Sequence, residues 1–314
     1  MNRREVIAMA AAATAVTEAR STALAAVGEL PNYIHPSLKD RVVIITGGGR
    51  GFGWNMAEAL LKAGAKVALT ASRSPEQLVA VQARADAIAG KGRCVTLQAD
   101  VTKWQDCQST VAATLKAFGK IDVLINNAGR GTTEYRKEAS VRRPMFYEIE
   151  PEAFATIIET NLIGVFYMTK AVMPYFIERK RGKVFSISTS LTTMIGQGLS
   201  PYGASKAGLE LTHRVWSEEV AGSGVDINIL LPGGASDTSF IPQSSVAGEI
   251  GRRAKEGGLL PGNVIVPPAV WLCSDATNGL TGQRIIAKFW DDNLPGNAAL
   301  AKCIQPHNPV PGIM

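Results

Sequence analysis

Two side chains in the C-terminal half of the chain have the types and the spacing needed for proton transfer. Tyr202 and Lys206 stand four residues apart in a segment whose pattern predicts a helix, so both should lie on one helix face. A phenol with its ordinary pKa of about 10 exchanges protons poorly at neutral pH. A nearby ammonium favours the phenolate and lowers that pKa. Such a pair also occurs as a solvated lysine beside a core tyrosine, so the surrounding elements must decide between the two.

A glycine-rich loop near residue 50 indicates a phosphate-binding turn. Residues 41–46 are a short, β-branched apolar run, which predicts a strand buried on both faces. The run leads directly into Gly47, Gly51 and Gly53, and a helical pattern follows. Glycine lets the backbone turn tightly and approach a pyrophosphate, which the amides at the helix start can bind. A further strand pattern at 66–70 completes a β-α-β unit.

Arginines at this nucleotide site favour NADP(H) over NAD(H). A site specific for NAD usually has an acidic residue after the second strand, to bond the ribose 2′-hydroxyl. Here the sequence is Ala71-Ser72-Arg73-Ser74, without an acid, and Arg50 lies inside the glycine loop. Two guanidinium groups suit a 2′-phosphate because their bonds to it are charge-assisted and often bidentate. The alternative is a pair of surface arginines without a ligand.

Seven short motifs, spread over residues 38 to 290, resemble the short-chain dehydrogenase/reductase family. In chain order they are Thr46-Gly47-x-x-x-Gly51-x-Gly53, Asp100-Val101-Thr102, Asn126-Asn127-Ala128-Gly129, Asn161, the hydroxyl cluster 188–190, Tyr202-x-x-x-Lys206 and Pro232-Gly233. One of them could arise by accident, but seven in family order form a specific signal. The resemblance implies an oxidoreductase that interconverts an alcohol and a ketone or aldehyde by hydride transfer.

The same resemblance implies catalytic roles. Tyr202 would be the general acid or base, Lys206 would bond the nicotinamide ribose and lower the tyrosine pKa, and Asn161 would hold a water in the proton relay. The family ordinarily has a serine thirteen residues before the tyrosine, and here that position is Thr189. A threonine hydroxyl can make the same hydrogen bond to the substrate carbonyl. Ser190 is the alternative if the loop is one residue shorter.

Cofactor contacts follow from the resemblance as well. Asp100 and Val101 would flank the adenine, and Thr238 would bond the nicotinamide carboxamide. Asn126 with the following Ala128-Gly129 would close the floor under the cofactor. The full expected set of cofactor-binding residues is Gly47, Arg50, Gly51, Gly53, Arg73, Asp100, Val101, Asn126, Ala128, Gly129, Tyr202, Lys206, Pro232, Gly233 and Thr238.

Alternating apolar runs and helical stretches predict an α/β fold. The apolar runs are 41–46, 66–70, 93–98, 121–125, 183–187, 225–231 and 284–287. They imply a Rossmann-type, doubly wound, seven-stranded parallel sheet with helices on both faces, as a single domain at 38–290. The loop at 130–150 is longer than in typical members of the family it resembles, and we expect it to form either part of a lid or a decorated surface loop. The tail at 291–314 is predicted to be irregular.

Composition narrows the classes of partner. Hydrophobic residues make up 46% of the chain and charged residues 19%, which supports a substantial core. The net charge of +6 comes from scattered basic clusters without interleaved aromatic residues, so we expect no nucleic-acid partner. The histidines and cysteines show no metal-ligand spacing, so no metal is expected. We expect a small-molecule alcohol or carbonyl substrate, and the alternative is a non-catalytic nucleotide-binding or sensing protein on the same fold.

The family resemblance also suggests a homodimer or homotetramer, paired through the helices around 151–178 and 201–221. Residues 1–25 resemble a Tat-type export signal, followed by a linker at 26–37. Arg3 and Arg4 precede an uncharged stretch too short to span a bilayer, and Ala23-Leu24-Ala25 is a small-x-small cleavage site. We therefore expect a periplasmic protein without a stable membrane span. The alternative is an N-terminal helix on a cytoplasmic enzyme.

Overall fold

Seven parallel strands form one sheet at the centre of the protein. The computed structural model describes residues 31–72, 75–135, 144–237 and 258–306. The strands are β1 (Val42–Ile45), β2 (Lys66–Ala71), β3 (Cys94–Gln98), β4 (Val123–Asn126), β5 (Gly182–Ile187), β6 (Val225–Leu231) and β7 (Arg284–Ile286). Their spatial order is β3-β2-β1-β4-β5-β6-β7. The first three strands are therefore added toward one edge of the sheet and the last four toward the other, so the strand order reverses between β1 and β4. All seven predicted strands are confirmed, and this reversal is where α/β sheets bind ligands.

Helices cover both faces of the sheet, as predicted. They are α1 (Gly51–Lys62), α2 (Pro75–Ala89), α3 (Trp104–Phe118), α4 (Pro151–Ile158), α5 (Gly164–Arg179), α6 (Leu191–Met194), α7 (Ser200–Glu219), α8 (Val266–Leu272) and α9 (Gly296–Cys303). Alternate residues of a strand enter different cores: Val43 and Ile45 pack with α1, α2 and α8, whereas Ile44 packs with α3 and α5. Burial on both faces explains why the strands are continuous apolar runs.

The C-terminal segment is more ordered than the sequence suggested. Instead of an irregular tail, it contains α9, whose Leu300 and Cys303 are buried in the core beside α8. Ile304 then forms an antiparallel bridge with Ile285 of β7. A side chain at Gly296 would overlap the ring of Trp271, so only glycine lets α9 begin this close to α8. Residues 291–306 therefore belong to the folded domain.

Part of the predicted linker also packs on the domain. The Asn32 amide donates to the carbonyls of Asp291 (3.1 Å) and Leu294 (2.8 Å), and it accepts from the Trp290 indole (3.1 Å). Leu38, the first residue of the predicted domain, is fully buried directly after this linker. The proposed export signal at 1–25 lies outside the described residues. None of the helices that the structure describes combines the length and the apolar character needed to cross a bilayer.

Candidate active site

The carboxyl ends of β1, β4, β5 and β6 bring the predicted site residues together. The glycine loop follows β1, the Asn126–Gly129 motif follows β4, and Thr189 follows β5. Tyr202 and Lys206 lie in α7, which packs along β6. A Cβ at Gly203 would overlap the carbonyl of Met194, so this glycine lets the first turn of α7 pack against α6.

The Tyr202 phenol hydrogen-bonds with the Thr189 side chain. The two neighbouring hydroxyls have other partners. Ser188 Oγ donates to Glu210 Oε1 (2.6 Å), and Ser190 Oγ caps α6 by accepting from the Thr193 amide (3.4 Å). The geometry therefore agrees with Thr189, and not Ser190, as the hydroxyl that faces the tyrosine. Its catalytic role stays a prediction.

The protonation of Tyr202 differs from the sequence-based expectation. Burial raises the pKa of Tyr202 to about 12, and the hydrogen bond from Thr189 lowers it only in part. The Lys206 ammonium lies 5.9 Å from the centre of the phenol ring, and it does not bring the phenol pKa below its ordinary value. At neutral pH the phenol in this structure therefore carries its proton, which suits a general acid.

Lys206 is held by the strand end that precedes Thr189. Its Nζ donates to the Ile187 carbonyl at 2.8 Å, and the side chain is buried. Burial lowers the pKa of Lys206 to about 8, against the opposing effect of the Glu210 carboxylate one helical turn further on. A lysine with such a pKa can exchange protons near neutral pH.

Asn161 lies in a π-helical segment, Glu159–Ile163, between α4 and α5. Segments of this type frequently occur at functional sites. Its Nδ2 donates to the Arg130 carbonyl (2.9 Å) and to Ser205 Oγ (3.0 Å), and its Oδ1 accepts from the Arg130 amide (2.8 Å). The side chain thus holds the loop after β4 against α7. That it also holds a water stays a prediction.

The glycine loop has the shape that a pyrophosphate requires. Gly47 and Gly51 adopt φ values of +64° and +52°, a region that favours glycine. A Cβ at Gly53 would lie 2.4 Å from the Gly47 carbonyl oxygen. Arg50, the N-cap of α1, gives no side-chain capping bond, so no cap side chain takes the first amides of the helix. These residues fit a nicotinamide dinucleotide, whose phosphates they would hold.

Asn127 has a structural role at this site that sequence reasoning missed. Its Nδ2 donates to the carbonyls of Thr46 (2.9 Å) and Gly47 (3.0 Å), which ties the end of β4 to the glycine loop. Thr46 Oγ1 in turn accepts from the amides of Asn127 and Ala128. The sequence did carry a signal for this role, because Asn127 is the second of two asparagines that follow the apolar run 121–125.

A buried network of side-chain hydrogen bonds lies beneath the site, and the sequence did not reveal it. Asn126 Nδ2 donates to Thr169 Oγ1 (3.1 Å) and Ser186 Oγ (3.2 Å), so this side chain supports the floor from inside the core. His213 Nδ1 donates to the Leu209 carbonyl (2.9 Å), because a carbonyl only accepts. Nε2 therefore accepts from Ser186 Oγ (2.7 Å). Burial lowers the pKa of His213 to about 4, so its ring stays neutral at pH 7.

Those of the remaining predicted cofactor residues that the structure describes lie at this same edge of the sheet. Asp100 forms a tight turn after β3 by accepting from the Thr102 amide (3.0 Å) and hydroxyl (2.8 Å). Gly233, after β6, has φ of +94°. Arg73 and Thr238 lie outside the described residues. So does part of the enlarged loop, residues 136–143.

Comparisons with known proteins agree with this arrangement. The family model described as short chain dehydrogenase matches residues 41–245. The chain is 38% identical over 195 residues to oxidoreductase BOA17 of Botryotinia fuckeliana, covering 62% of this chain and 65% of that protein. It is 32% identical over 251 residues to the acetoacetyl-CoA reductase of Rhizobium meliloti, covering 79% of this chain and 96% of that protein.

Solved structures show the same likeness. The 3-ketoacyl-(acyl-carrier-protein) reductase of Brucella melitensis, complexed with NADH, matches with a TM-score of 0.68 and 28% identity. The match covers 79% of this chain and 96% of that one. From its family match, its sheet order and the arrangement of its site, the chain belongs to the short-chain dehydrogenase/reductase family of oxidoreductases.

Proposed function

We propose that this protein is an NADP(H)-dependent carbonyl reductase or alcohol dehydrogenase that interconverts an alcohol and a ketone or aldehyde. The observation that carries the proposal is the hydrogen bond between Tyr202 and Thr189, with Lys206 on the same face of α7. A protonated phenol beside a second hydroxyl supports a site in which one carbonyl oxygen meets both groups. Two of the relatives above, the acetoacetyl-CoA reductase and the 3-ketoacyl-(acyl-carrier-protein) reductase, are named as reductases, which supports the reductive direction.

In that direction the hydride for the carbonyl carbon would come from a bound nicotinamide. Thr189 orients the carbonyl oxygen with its hydroxyl, and Tyr202 donates its proton to that oxygen as negative charge develops there. Lys206, whose pKa is lowered to about 8 by burial, can then supply the proton that Tyr202 has lost. Asn161 keeps the loop after β4 in position during the step.

A panel of ketones, aldehydes and 3-oxoacyl thioesters, assayed with NADPH and NADH, tests the proposal. We expect reduction of at least one carbonyl class, with NADPH preferred. Tight NADPH binding without turnover on any of them would instead favour the nucleotide-sensing alternative.

The preference for NADPH rests on Arg73 and Arg50. Loss of a charge-assisted bond to the 2′-phosphate should cost about 1.5 to 3 kcal/mol, or roughly ten- to a hundredfold in affinity. We therefore expect Arg73→Ala to weaken NADPH binding by this factor and to leave NADH binding almost unchanged, as measured by cofactor fluorescence titration. Lys91→Ala, at an exposed turn, is the matched control. Equal weakening of both cofactors would show that Arg73 does not read the 2′-phosphate.

We also propose that the protein is a homodimer or homotetramer. Large apolar side chains on α4, α5 and α7 remain exposed in the single chain: Phe154 by 39%, Phe166 by 41%, Leu211 by 59% and Val215 by 46%. Exposed apolar patches commonly mark interfaces, and symmetric pairing buries the same patch on both copies. Light scattering that gave a monomer mass would contradict this assembly.

Export through a Tat-type route is our proposal for residues 1–25, and it rests on the sequence alone. We expect the mature chain in the native host to begin at Ala26, as intact mass would show. Replacement of Arg3 and Arg4 by lysine should leave an uncut precursor in the cytoplasm, because Tat receptors read the arginine pair. An unprocessed chain in the soluble cytoplasmic fraction of the wild-type host would support the cytoplasmic alternative.

A further inference from the structure

The side chain of Arg284, the first residue of β7, contacts three separate parts of the fold. We propose that Arg284 is a positioning residue for the active site, which holds Thr189 and Glu210 in place and connects them to the C-terminal segment. The inference rests on the proposed function, since it concerns the same hydroxyl and the same helix.

All three nitrogens of the guanidinium donate hydrogen bonds. Nε donates to Glu210 Oε2 (2.8 Å), Nη2 to the Thr189 carbonyl (3.0 Å) and Nη1 to Gln305 Oε1 (2.5 Å). Arg284 and Glu210 are each only about one-fifth exposed, so solvent competes weakly for these bonds. The rigid planar guanidinium spreads these donors over three nitrogens, whereas a lysine carries all its donors on one ammonium nitrogen and so cannot reproduce this geometry.

These bonds fix the strand end that carries the catalytic hydroxyl. Each of the three consecutive residues at the end of β5 and just after it accepts or donates a hydrogen bond. The Ile187 carbonyl accepts from Lys206, the Ser188 hydroxyl donates to Glu210 (2.6 Å), and the Thr189 carbonyl accepts from Arg284. Glu210 receives one bond on each carboxylate oxygen. Because the Thr189 hydroxyl must meet a carbonyl oxygen within hydrogen-bond reach, loss of one anchor should displace it.

The C-terminal segment supplies the outer support. Gln305 binds Arg284 twice, because its backbone amide also donates to the Arg284 carbonyl (2.9 Å). Next to it, Ile304 pairs with Ile285 along the edge of β7. The described part of the C-terminal segment therefore packs against the residue that anchors the active-site loop.

Arg284 also balances the charge beside the catalytic pair. On α7, Lys206 lies one turn before Glu210 and Tyr202 two turns before it, while the ring of the following His213 is neutral. Arg214 lies one turn after Glu210, and its guanidinium pairs with Glu218 at 2.8 Å. From β7 Glu210 faces Arg284, and from the loop after β5 it faces the uncharged hydroxyl of Ser188. An uncompensated Glu210 would favour the ammonium of Lys206 and disfavour the phenolate of Tyr202. Loss of the Arg284 charge should therefore move both deprotonations to higher pH.

Three variants of the full-length protein separate charge from geometry. We expect Arg284→Met to lower kcat by about ten- to a hundredfold, the range for a misplaced catalytic group, with little change in NADPH affinity. Its pH profile should move to higher pH, whereas that of Glu210→Gln should move to lower pH. Arg284→Lys keeps the charge, so its profile should match wild type while kcat stays reduced. Lys302→Met, which removes an exposed cation paired with Asp291, is the control.

Hydrogen exchange gives a readout that does not depend on turnover. We expect peptides covering residues 187–194 to exchange faster in Arg284→Met than in Lys302→Met, at equal global stability. Arg284→Met with wild-type kcat, an unmoved pH profile and unchanged exchange would overturn the inference while the proposed reaction stood. A wild-type protein inactive on the whole carbonyl panel would defeat the proposed function, and the exchange result would still decide whether Arg284 anchors the loop.

Discussion

Replacement of Tyr202 by phenylalanine should lower kcat for carbonyl reduction by about 10² to 10⁴, the contribution typical of a lost general acid. The phenol is the group that carries a proton next to Thr189, since burial raises its pKa to about 12. Phenylalanine keeps the ring and its packing but removes the proton. The cofactor affinity should stay nearly constant, because in our proposal the glycine loop, and not the phenol, holds the phosphates.

Steady-state kinetics and a fluorescence titration with NADPH measure the two effects separately. Tyr175→Phe on α5 is a matched control, because it removes a phenol hydroxyl from a half-buried ring on a different helix. Turnover of the Tyr202 variant within about threefold of wild type would be far below a general-acid effect and would remove Tyr202 from the mechanism.

Thr189→Ala should have the second-largest effect on the reaction. Loss of one hydrogen-bond donor to the developing oxyanion typically lowers kcat by about 10² to 10³. Thr189→Ser keeps the hydroxyl and should retain activity. Ser190→Ala should be milder, because the Ser190 hydroxyl caps α6 and does not pair with the tyrosine.

The same kinetic assay, run on the four single variants at residues 188–190, decides the assignment. The kcat of Ser188→Ala should lie between those of Thr189→Ala and Ser190→Ala, since this change removes a hydrogen bond to Glu210 but leaves the Thr189 hydroxyl in place. If Ser190→Ala were the most damaging change, the hydroxyl that polarises the carbonyl would be Ser190.

Much of the fold could be predicted because its determinants are local. A parallel strand covered on both faces must be apolar throughout, and the fully buried run Val42–Ile45 shows this directly. The glycine loop was recognisable for a similar reason, since the positive φ of Gly47 and Gly51 restricts those positions to glycine. Spacing along one helix likewise placed Tyr202 and Lys206 on a common face.

The features that escaped prediction depend on contacts between distant parts of the chain. Arg284 meets Glu210 and Thr189 from 74 and 95 residues away, and no local pattern reports such pairs. The order of α9 depends on the fit of Gly296 against Trp271. The direction of the Tyr202 pKa was missed because it reflects burial, which residue spacing does not reveal.

We propose that this chain transfers a hydride from a nicotinamide to a carbonyl carbon with Tyr202 as the acid. The most direct test is a single-turnover reaction with NADPH deuterated at both C4 positions, followed by mass analysis of the product alcohol. The account predicts one deuterium on the carbinol carbon for the wild-type protein, and a rate at least about 10²-fold lower for Tyr202→Phe. Bound NADPH that delivers no deuterium to any carbonyl of the panel, or equal rates in the two proteins, would contradict it.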